Sequence, residues 1–184
     1  MRTILSLALA VALLAGTAWA DDKPAKDEPK QAPKVVLQSP DGKQSYDLQK
    51  LTAEGPVLVR LTCACSGCDQ ELPFFQKLQA SYNAKGLQTI AVFREKPEEA
   101  SSYAVKKDLK FMWLADPKGE LWKTFDTKAM PTNILIDKGG KIVRILPGCT
   151  TDGKNAQTLS SEIAKLLKTT EAAIVEKKDK DDKK

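Results

Sequence analysis

The chain has 184 residues, of which 42% are hydrophobic, and a formal net charge of +5. Its 29 basic and 24 acidic residues are too evenly mixed to predict nucleic-acid binding. The absence of histidine excludes histidine-dependent catalytic triads, histidine-ligated zinc or copper, and a histidine general base. The four cysteines are therefore the first residues to consider for chemistry.

The N-terminal 20 residues have the pattern of a secretory signal peptide. Arg2 precedes an apolar run from Ile4 to Ala15, and Ala18-Trp19-Ala20 has the small-x-small form of a signal peptidase site. The run is shorter than the ~20 residues that a membrane-spanning helix needs, and an uncleaved anchor is the alternative. We expect cleavage near Ala20, export to the periplasm or beyond, and no stable membrane insertion afterwards. Disulfides persist in those compartments.

Both ends of the remaining chain are charged and lack apolar periodicity. Residues 21–34 contain three prolines, which predicts a flexible linker. Residues 169–184 end in a run of Lys, Asp and Glu, which predicts a disordered tail. Residues 35–168 remain as one domain, and we expect a monomer.

Within this domain the apolar pattern alternates between strands and helices. The predicted elements, in chain order, are a hairpin over 35–48, a strand over 57–61, a helix from 69 to 86, a strand over 87–93, a helix over 97–109, a strand over 111–114, a short helix over 121–125, a hairpin over 133–146 and a helix over 159–167. This order predicts an α/β domain whose central sheet is covered by helices on both faces.

Three cysteines crowd the junction between the predicted strand over 57–61 and the helix that follows it, as Cys63-Ala-Cys65-Ser-Gly-Cys68. A cysteine at a helix N-terminus has its thiolate stabilised by free backbone N–H groups and by the helix dipole. Cys68 lies one turn inside the helix, close enough to form a small disulfide. The spacing favours attack by Cys65 on a disulfide, resolved by Cys68.

Two other readings of the cysteines remain open. A Cys-x-x-Cys pair in an exported protein can be half of a structural zinc site, and Cys63, Cys65, Cys68 and Cys149 could supply four thiolate ligands. The same residues could also be structural disulfides.

Several motifs in order carry a family resemblance. They are Val57-Leu58-Val59, Cys65-Ser66-Gly67-Cys68, Glu71-Leu72-Pro73, Ala129-Met130-Pro131-Thr132 and Gly140-Lys141-Ile142-Val143. In this order they resemble the exported thioredoxin-like thiol-disulfide oxidoreductases of the TlpA and ResA type, in the redoxin superfamily. The resemblance spans roughly 35–167 and implies a thioredoxin-like fold, with a central mixed β-sheet flanked by helices on both faces and an N-terminal β-hairpin extension.

The resemblance also implies roles for individual residues. Cys65 would be the attacking thiol and Cys68 the resolving thiol. Glu71 matches an acidic residue that the family places beside the cysteine pair, where it could relay a proton during exchange. An acidic residue in the first turn of a helix is also a favourable partner of the helix dipole, without any catalytic role.

Pro131 matches the cis proline that faces the cysteines in the family. Sequence alone favours a trans bond, because about 5% of X–Pro bonds in folded proteins are cis, whereas the resemblance implies cis. Met130, Pro131 and Thr132 would then bind substrate, with the backbone of Met130 as the contact edge. The proline ring would also hold metals off the thiols, so no metal is expected.

The sequence departs from the family at the cysteine segment. Ala64 and Gly67 replace the usual tryptophan and proline, and the segment before Cys65 is one residue shorter. The direction of electron flow is therefore not predicted. Cys149 follows the last predicted hairpin, and a Cys63–Cys149 disulfide is plausible, with two buried free thiols as the alternative.

The function predicted from these observations is thiol-disulfide exchange with exported proteins that contain cysteine pairs. An upstream thiol electron donor would be a second partner, and no dissociable cofactor is needed. One alternative is a thiol peroxidase, since Thr62-Cys63-Ala64-Cys65 contains the T-x-x-C element of peroxiredoxins. Another is a non-enzymatic metal-binding protein that uses cysteines alone.

Overall fold

The computed structural model describes residues 30–175. The predicted signal peptide, residues 21–29 of the predicted linker and residues 176–184 of the predicted tail lie outside this range. The strands are β1 (Val36–Gln38), β2 (Ser45–Asp47), β3 (Val57–Thr62), β4 (Gln88–Phe93), β5 (Met112–Ala115), β6 (Thr132–Ile136) and β7 (Ile142–Pro147). The helices are α1 (Leu48–Glu54), α2 (Ser66–Tyr82), α3 (Pro97–Lys106), α4 (Glu120–Thr124) and α5 (Lys154–Leu166), with a 3-10 turn at Asn83–Lys85.

Five strands form one mixed sheet in the order β5-β4-β3-β6-β7. β3 is parallel to β4, and β4 to β5, whereas β6 is antiparallel to both β3 and β7. β1 and β2 form a separate antiparallel hairpin. The predicted mixed sheet and N-terminal hairpin are confirmed.

The central strand β3 is buried at all six positions, because helices cover both faces of the sheet. Val57, Val59 and Leu61 belong to a core on one face that includes residues of α1 and α4. Leu58 belongs to the core on the opposite face, beneath α2 and α5. Since strand side chains alternate between faces, Arg60 shares the face of Leu58. The covering of both faces, predicted from the order of elements, is confirmed.

Helix α1 was not predicted by the apolar pattern. Asp47 begins it, because its carboxylate accepts hydrogen bonds from the backbone N–H groups of Gln49 and Lys50, as an N-cap residue does. Leu48, predicted to end a strand, instead starts this helix and is buried. Helix α2 starts at Ser66, three residues earlier than the apolar spacing predicted.

The packed domain extends past both predicted boundaries. On the C-terminal side Ile174 is buried, and the N–H of Ala172 donates to the hydroxyl of Tyr82 at 2.8 Å. On the N-terminal side the N–H of Ala32 donates to the carbonyl of Gly140 at 2.7 Å. Residues on either side of the predicted limits at 35 and 168 thus contact the domain, through backbone hydrogen bonds and the buried side chain of Ile174.

Candidate active site

The strand-to-helix junction places Cys65 at the N-terminus of α2. β3 ends at Thr62, and Cys65 is the N-cap residue of α2. Its backbone is extended, and its side chain makes no capping hydrogen bond to the helix. Its carbonyl accepts the N–H of Asp69 at 3.0 Å, which closes the first turn. The first N–H groups of a helix have no partners within the helix, so they face the region of the Cys65 thiol. Cys65 is also exposed, which makes it accessible to a partner protein.

The sulfur atoms of Cys63, Cys65 and Cys68 form one group. All three lie within 4.8 Å of one another, and Cys65 is the exposed member. The structure joins Cys63 to Cys65 as a disulfide, with their Cα atoms 5.3 Å apart. Cys68 is free and buried, and its Sγ lies 3.3 Å from that of Cys63. The cluster thus contains one disulfide and an adjacent thiol, and its sulfurs are the atoms that could hold a soft metal ion when reduced.

These contacts correct one predicted disulfide. Cys63 is bonded to Cys65 and not to Cys149, which is free and exposed. The Cys149 thiol instead donates to the carbonyl of Gly67 at 3.1 Å, at the start of α2. Burial, followed by the nearby charges of Glu71 and Cys68, raises the pKa of Cys149 above its usual value. The pairing of Cys65 with Cys68 during turnover stays a prediction, since Cys68 adjoins the bonded pair.

Glu71 lies beneath the cysteines and is fully buried. One carboxylate oxygen accepts a hydrogen bond from Arg60 at 3.0 Å. The other accepts from the N–H and the hydroxyl of Thr150, at 2.9 and 3.1 Å, and from the amide of Asn155 at 3.3 Å. Arg60, the Thr150 N–H and the Asn155 amide N–H act only as donors to this carboxyl group, while the Thr150 hydroxyl can both donate and accept. These contacts hold the loop after β7 against α2.

Arg60 is the cation that faces Glu71 in the core. Its guanidinium also donates to the side-chain carbonyl of Asn133 at 2.8 Å and lies 4.0 Å from the centre of the Phe75 ring. Burial lowers the pKa of Arg60, while the neighbouring Glu71 carboxylate acts in the opposite direction. Sequence reasoning missed this residue, although a charged side chain inside the apolar run of β3 was a visible signal.

A second acidic residue positions the cysteine segment from the other side. Glu95 follows β4, and its carboxylate accepts the backbone N–H of Ala64 at 2.8 Å. This contact fixes the residue between Cys63 and Cys65. Neither Glu95 nor the Thr150 and Asn155 contacts could be predicted from the sequence, because each partner lies more than 30 positions away.

The peptide bond between Met130 and Pro131 is cis, as the resemblance implied. Leu61 pairs with Thr132, so the antiparallel register of β3 and β6 places the start of β6, which follows Pro131, beside the end of β3, which leads to Cys63. Pro131 and Thr132 are buried, whereas Met130 is 38% exposed. The Thr132 hydroxyl donates to the carbonyl of Ala129 at 2.9 Å. Of the three predicted substrate-binding residues, Met130 is therefore the one with an accessible side chain.

A cavity of about 500 Å³ opens beside Met130. Its lining includes the basic residues Arg94, Lys118, Lys123 and Lys128 and the acidic residue Asp126. The guanidinium of Arg94 lies 5.3 Å from the centre of the Trp122 ring, at the distance of a cation–π contact. The lining of this cavity is therefore predominantly basic.

The hydroxyl of Thr62, the threonine of the T-x-x-C element, donates to the backbone carbonyl of Cys63. This bond directs the hydroxyl to a carbonyl oxygen and not to the Cys65 sulfur. This contact of Thr62 therefore does not support the peroxidase alternative.

Comparisons with known proteins agree with this geometry. The sequence pattern of the AhpC/TSA family matches residues 29–145. The thiol-disulfide oxidoreductase ResA of Bacillus thuringiensis subsp. konkukian is 33% identical over 120 residues, which cover 65% of this chain and 69% of that protein. ResA of Geobacillus thermodenitrificans is 28% identical over 165 residues, covering 88% of this chain and 94% of that protein.

Solved structures share the fold. A crystal structure of a DsbE-type thiol:disulfide interchange protein from Chlorobium tepidum superposes with a TM-score of 0.68 and 29% identity, and covers 77% of this chain and 98% of that chain. The predicted resemblance to redoxin proteins of the ResA type is confirmed. The chain belongs to the AhpC/TSA family and has a thioredoxin-like fold.

Proposed function

We propose that this protein is a thiol-disulfide oxidoreductase in which Cys65 exchanges disulfides with partner proteins. The observation that carries the proposal is the position of Cys65, which is exposed at the N-cap of α2 and adjoins two buried sulfurs. An exposed thiolate can reach a partner's disulfide, and an adjacent thiol can complete the exchange. The relatives named as thiol-disulfide oxidoreductases support the same chemistry.

The reaction in the reducing direction has two steps. The Cys65 thiolate attacks one sulfur of the substrate disulfide, so a bond forms between them and the other substrate sulfur leaves as a thiolate. Cys68 then attacks the Cys65 sulfur, and the second substrate sulfur leaves as a thiolate. The substrate gains two electrons, solvent protonates its thiolates, and the protein retains a disulfide that an upstream thiol donor reduces. The oxidising direction is the reverse.

Glu71 acts in this proposal as a positioning residue. Its contacts with Thr150 and Asn155 hold the loop that carries Cys149 against the start of α2. The same loop meets the cis-proline turn, where the N–H of Gly148 donates to the carbonyl of Pro131 at 2.7 Å. Arg60 supplies the charge that stabilises the Glu71 carboxylate away from water.

The substrate side of the site comprises Met130 and the basic cavity beside it. Lys118 and Lys128 line the same cavity as Met130, and the cavity offers four cationic groups against one acidic residue. Opposite charges across an interface favour encounter and orientation. The preferred partners in this proposal are proteins with acidic residues next to an exposed cysteine pair.

We propose an exported location, in the periplasm or outside the cell, from the signal-peptide pattern that ends near Ala20. Thiol-disulfide exchange on protein partners suits such compartments, where disulfides form and persist. Over residues 30–175, no helix is both long enough and apolar enough to cross a membrane.

The test is turnover of a model protein disulfide. The purified protein, supplied with a dithiol donor, should accelerate the reduction of insulin, and Cys65→Ser should abolish this activity. Cys149→Ser is the matched control, because Cys149 lies outside the three-sulfur group and should leave most of the activity. Absence of exchange activity, together with stoichiometric zinc that each Cys63, Cys65 or Cys68 substitution removes, would establish the metal-binding alternative instead.

A further inference from the structure

The cysteine cluster contains one sulfur more than a two-cysteine exchange needs. Cys63 directly follows β3, whereas Cys65 and Cys68 lie at the start of α2, and the fold brings all three together. The structure bonds Cys63 to the exposed Cys65, and the free Cys68 lies 3.3 Å from Cys63. The Cys68 sulfur is therefore close to both sulfurs of the bonded pair.

We propose that Cys63 is a third redox-active thiol, which resolves mixed disulfides on Cys65 in parallel with Cys68. This inference rests on the proposed function and deepens it. When a substrate sulfur is bonded to Cys65, the Cys63 thiolate attacks the Cys65 sulfur. The Cys63–Cys65 bond forms, the bond to the substrate breaks, and the substrate leaves as a thiolate.

The same geometry lets the disulfide move within the cluster. The Cys68 thiolate attacks the Sγ of Cys63, so a Cys63–Cys68 bond forms while the Cys63–Cys65 bond breaks. The electron pair goes to Cys65, which leaves as a thiolate at the helix N-terminus, where its charge is stabilised. No net oxidation occurs, and the exposed thiol is regenerated while the disulfide lies in the interior.

Burial divides the roles among the three sulfurs. Cys63 and Cys68 are 9% and 4% exposed, so a protein disulfide reaches Cys65 and not the other two. Both buried thiols then compete only for the intramolecular step. The backbone bond from Ala64 to Glu95 fixes the segment that joins Cys63 to Cys65.

Cys149 lies outside the group formed by the sulfurs of Cys63, Cys65 and Cys68. Its thiol donates to the carbonyl of Gly67. It is nevertheless close to the start of α2, so the test is built on a Cys149→Ser background to prevent it from substituting for a missing resolving thiol.

The experiment follows a small disulfide, dithiodipyridine, which releases one coloured thione when Cys65 attacks it and a second when the mixed disulfide is resolved. Four reduced proteins are compared at low concentration: the background alone, and the background with Cys68→Ser, with Cys63→Ser or with both. We expect the Cys68→Ser protein to release the second thione at least about tenfold faster than the protein that lacks both thiols, at a rate independent of protein concentration.

Equal stalling of the Cys68→Ser protein and the protein that lacks both thiols would overturn the proposal. A second measurement does not depend on variants: the unmodified protein, oxidised by one equivalent of the probe and quenched in acid, is digested and its disulfides are mapped. A Cys63–Cys65 or Cys63–Cys68 disulfide supports the proposal, whereas recovery of Cys65–Cys68 alone, or of Cys63 only in a disulfide with Cys149, contradicts it. Failure of the proposed function is distinct, because it would appear as an inactive parent in the insulin assay.

Discussion

The guanidinium of Arg60 lies 3.0 Å from the carboxylate of Glu71, and both side chains are buried between β3 and α2. Such a pair is costly to leave incomplete, because a single charge inside a protein has neither water nor a counter-ion. The Glu71 carboxylate also contacts the loop after β7, because Thr150 and Asn155 donate hydrogen bonds to its second oxygen. The pair therefore links the central strand, the cysteine-bearing helix and the loop after β7.

Glu71→Ala should be strongly destabilising. The substitution leaves Arg60 buried without its counter-ion, and breaking a buried pair in this way costs about 3–5 kcal/mol of unfolding free energy. Urea denaturation of the oxidised protein measures the loss. Glu162→Ala is the matched control, because Glu162 pairs with the partly exposed Arg144, and removing such a pair should cost less than about 1 kcal/mol. Equal, small losses in the two variants would contradict the structural role of Glu71.

The strands and the site helix could be predicted because their signals are local. The apolar run of β3 and the Cys-x-x-Cys at the next helix are contiguous in sequence, and both appear where expected. Helix α1 was missed because two turns of helix carry too few apolar positions to show a period, and the Asp47 cap was the overlooked signal. Contacts such as Glu95 with Ala64 and Glu71 with Thr150 depend on the tertiary fold, so no local pattern reports them.

The cysteine pairing illustrates the same limit. Sequence spacing favoured Cys65 with Cys68, because those residues are one helical turn apart. Cys63, which directly follows β3, also lies beside Cys65, and the structure bonds the two. Cys149, which was a plausible disulfide partner of Cys63, instead directs its thiol to the carbonyl of Gly67 at the start of α2.

Alkylation of the reduced protein should follow the exposure and ionisation of each thiol. Cys65 should react first at neutral pH, because it is exposed and lies at a helix N-terminus. Cys149 is exposed too, but its raised pKa leaves less thiolate at neutral pH, so its labelling should be slower there and should keep rising with pH beyond the usual thiol pKa. Peptide mass spectrometry over a time course at several pH values measures both rates. Faster labelling of Cys68 than of Cys65 would contradict the assignment of the nucleophile.

Asp69 should make stability depend on pH in the acidic range. Hydrogen bonds from Lys107, at 2.7 Å, and from Tyr103, at 2.8 Å, lower the pKa of Asp69 and join α2 to α3. A lowered folded-state pKa gives stability that is present above the unfolded-state value of about 4 and is lost as the pH falls through the folded-state value. Asp69→Asn should remove this dependence, at a cost below about 1 kcal/mol near neutral pH, since the ion pair is partly exposed. Thermal unfolding of the parent and of Asp69→Asn at several pH values between acidic and neutral measures this dependence. The same pH profile in both proteins would contradict the role of Asp69.

Reversal of one charge beside Met130 should change substrate preference. Lys128 lines the basic cavity, so Lys128→Glu should slow reduction of a disulfide peptide with acidic flanks and speed that of a peptide with basic flanks. A surface charge contact of up to about 1 kcal/mol corresponds to a change of up to about fivefold in kcat/KM. The difference should shrink in concentrated salt, because screening acts over about 3 Å at 1 M ionic strength. Lys165→Glu changes the net charge equally from an exposed position in α5, outside the cavity lining, and is the control. If both variants shifted preference alike, net charge and not the cavity would select the substrate.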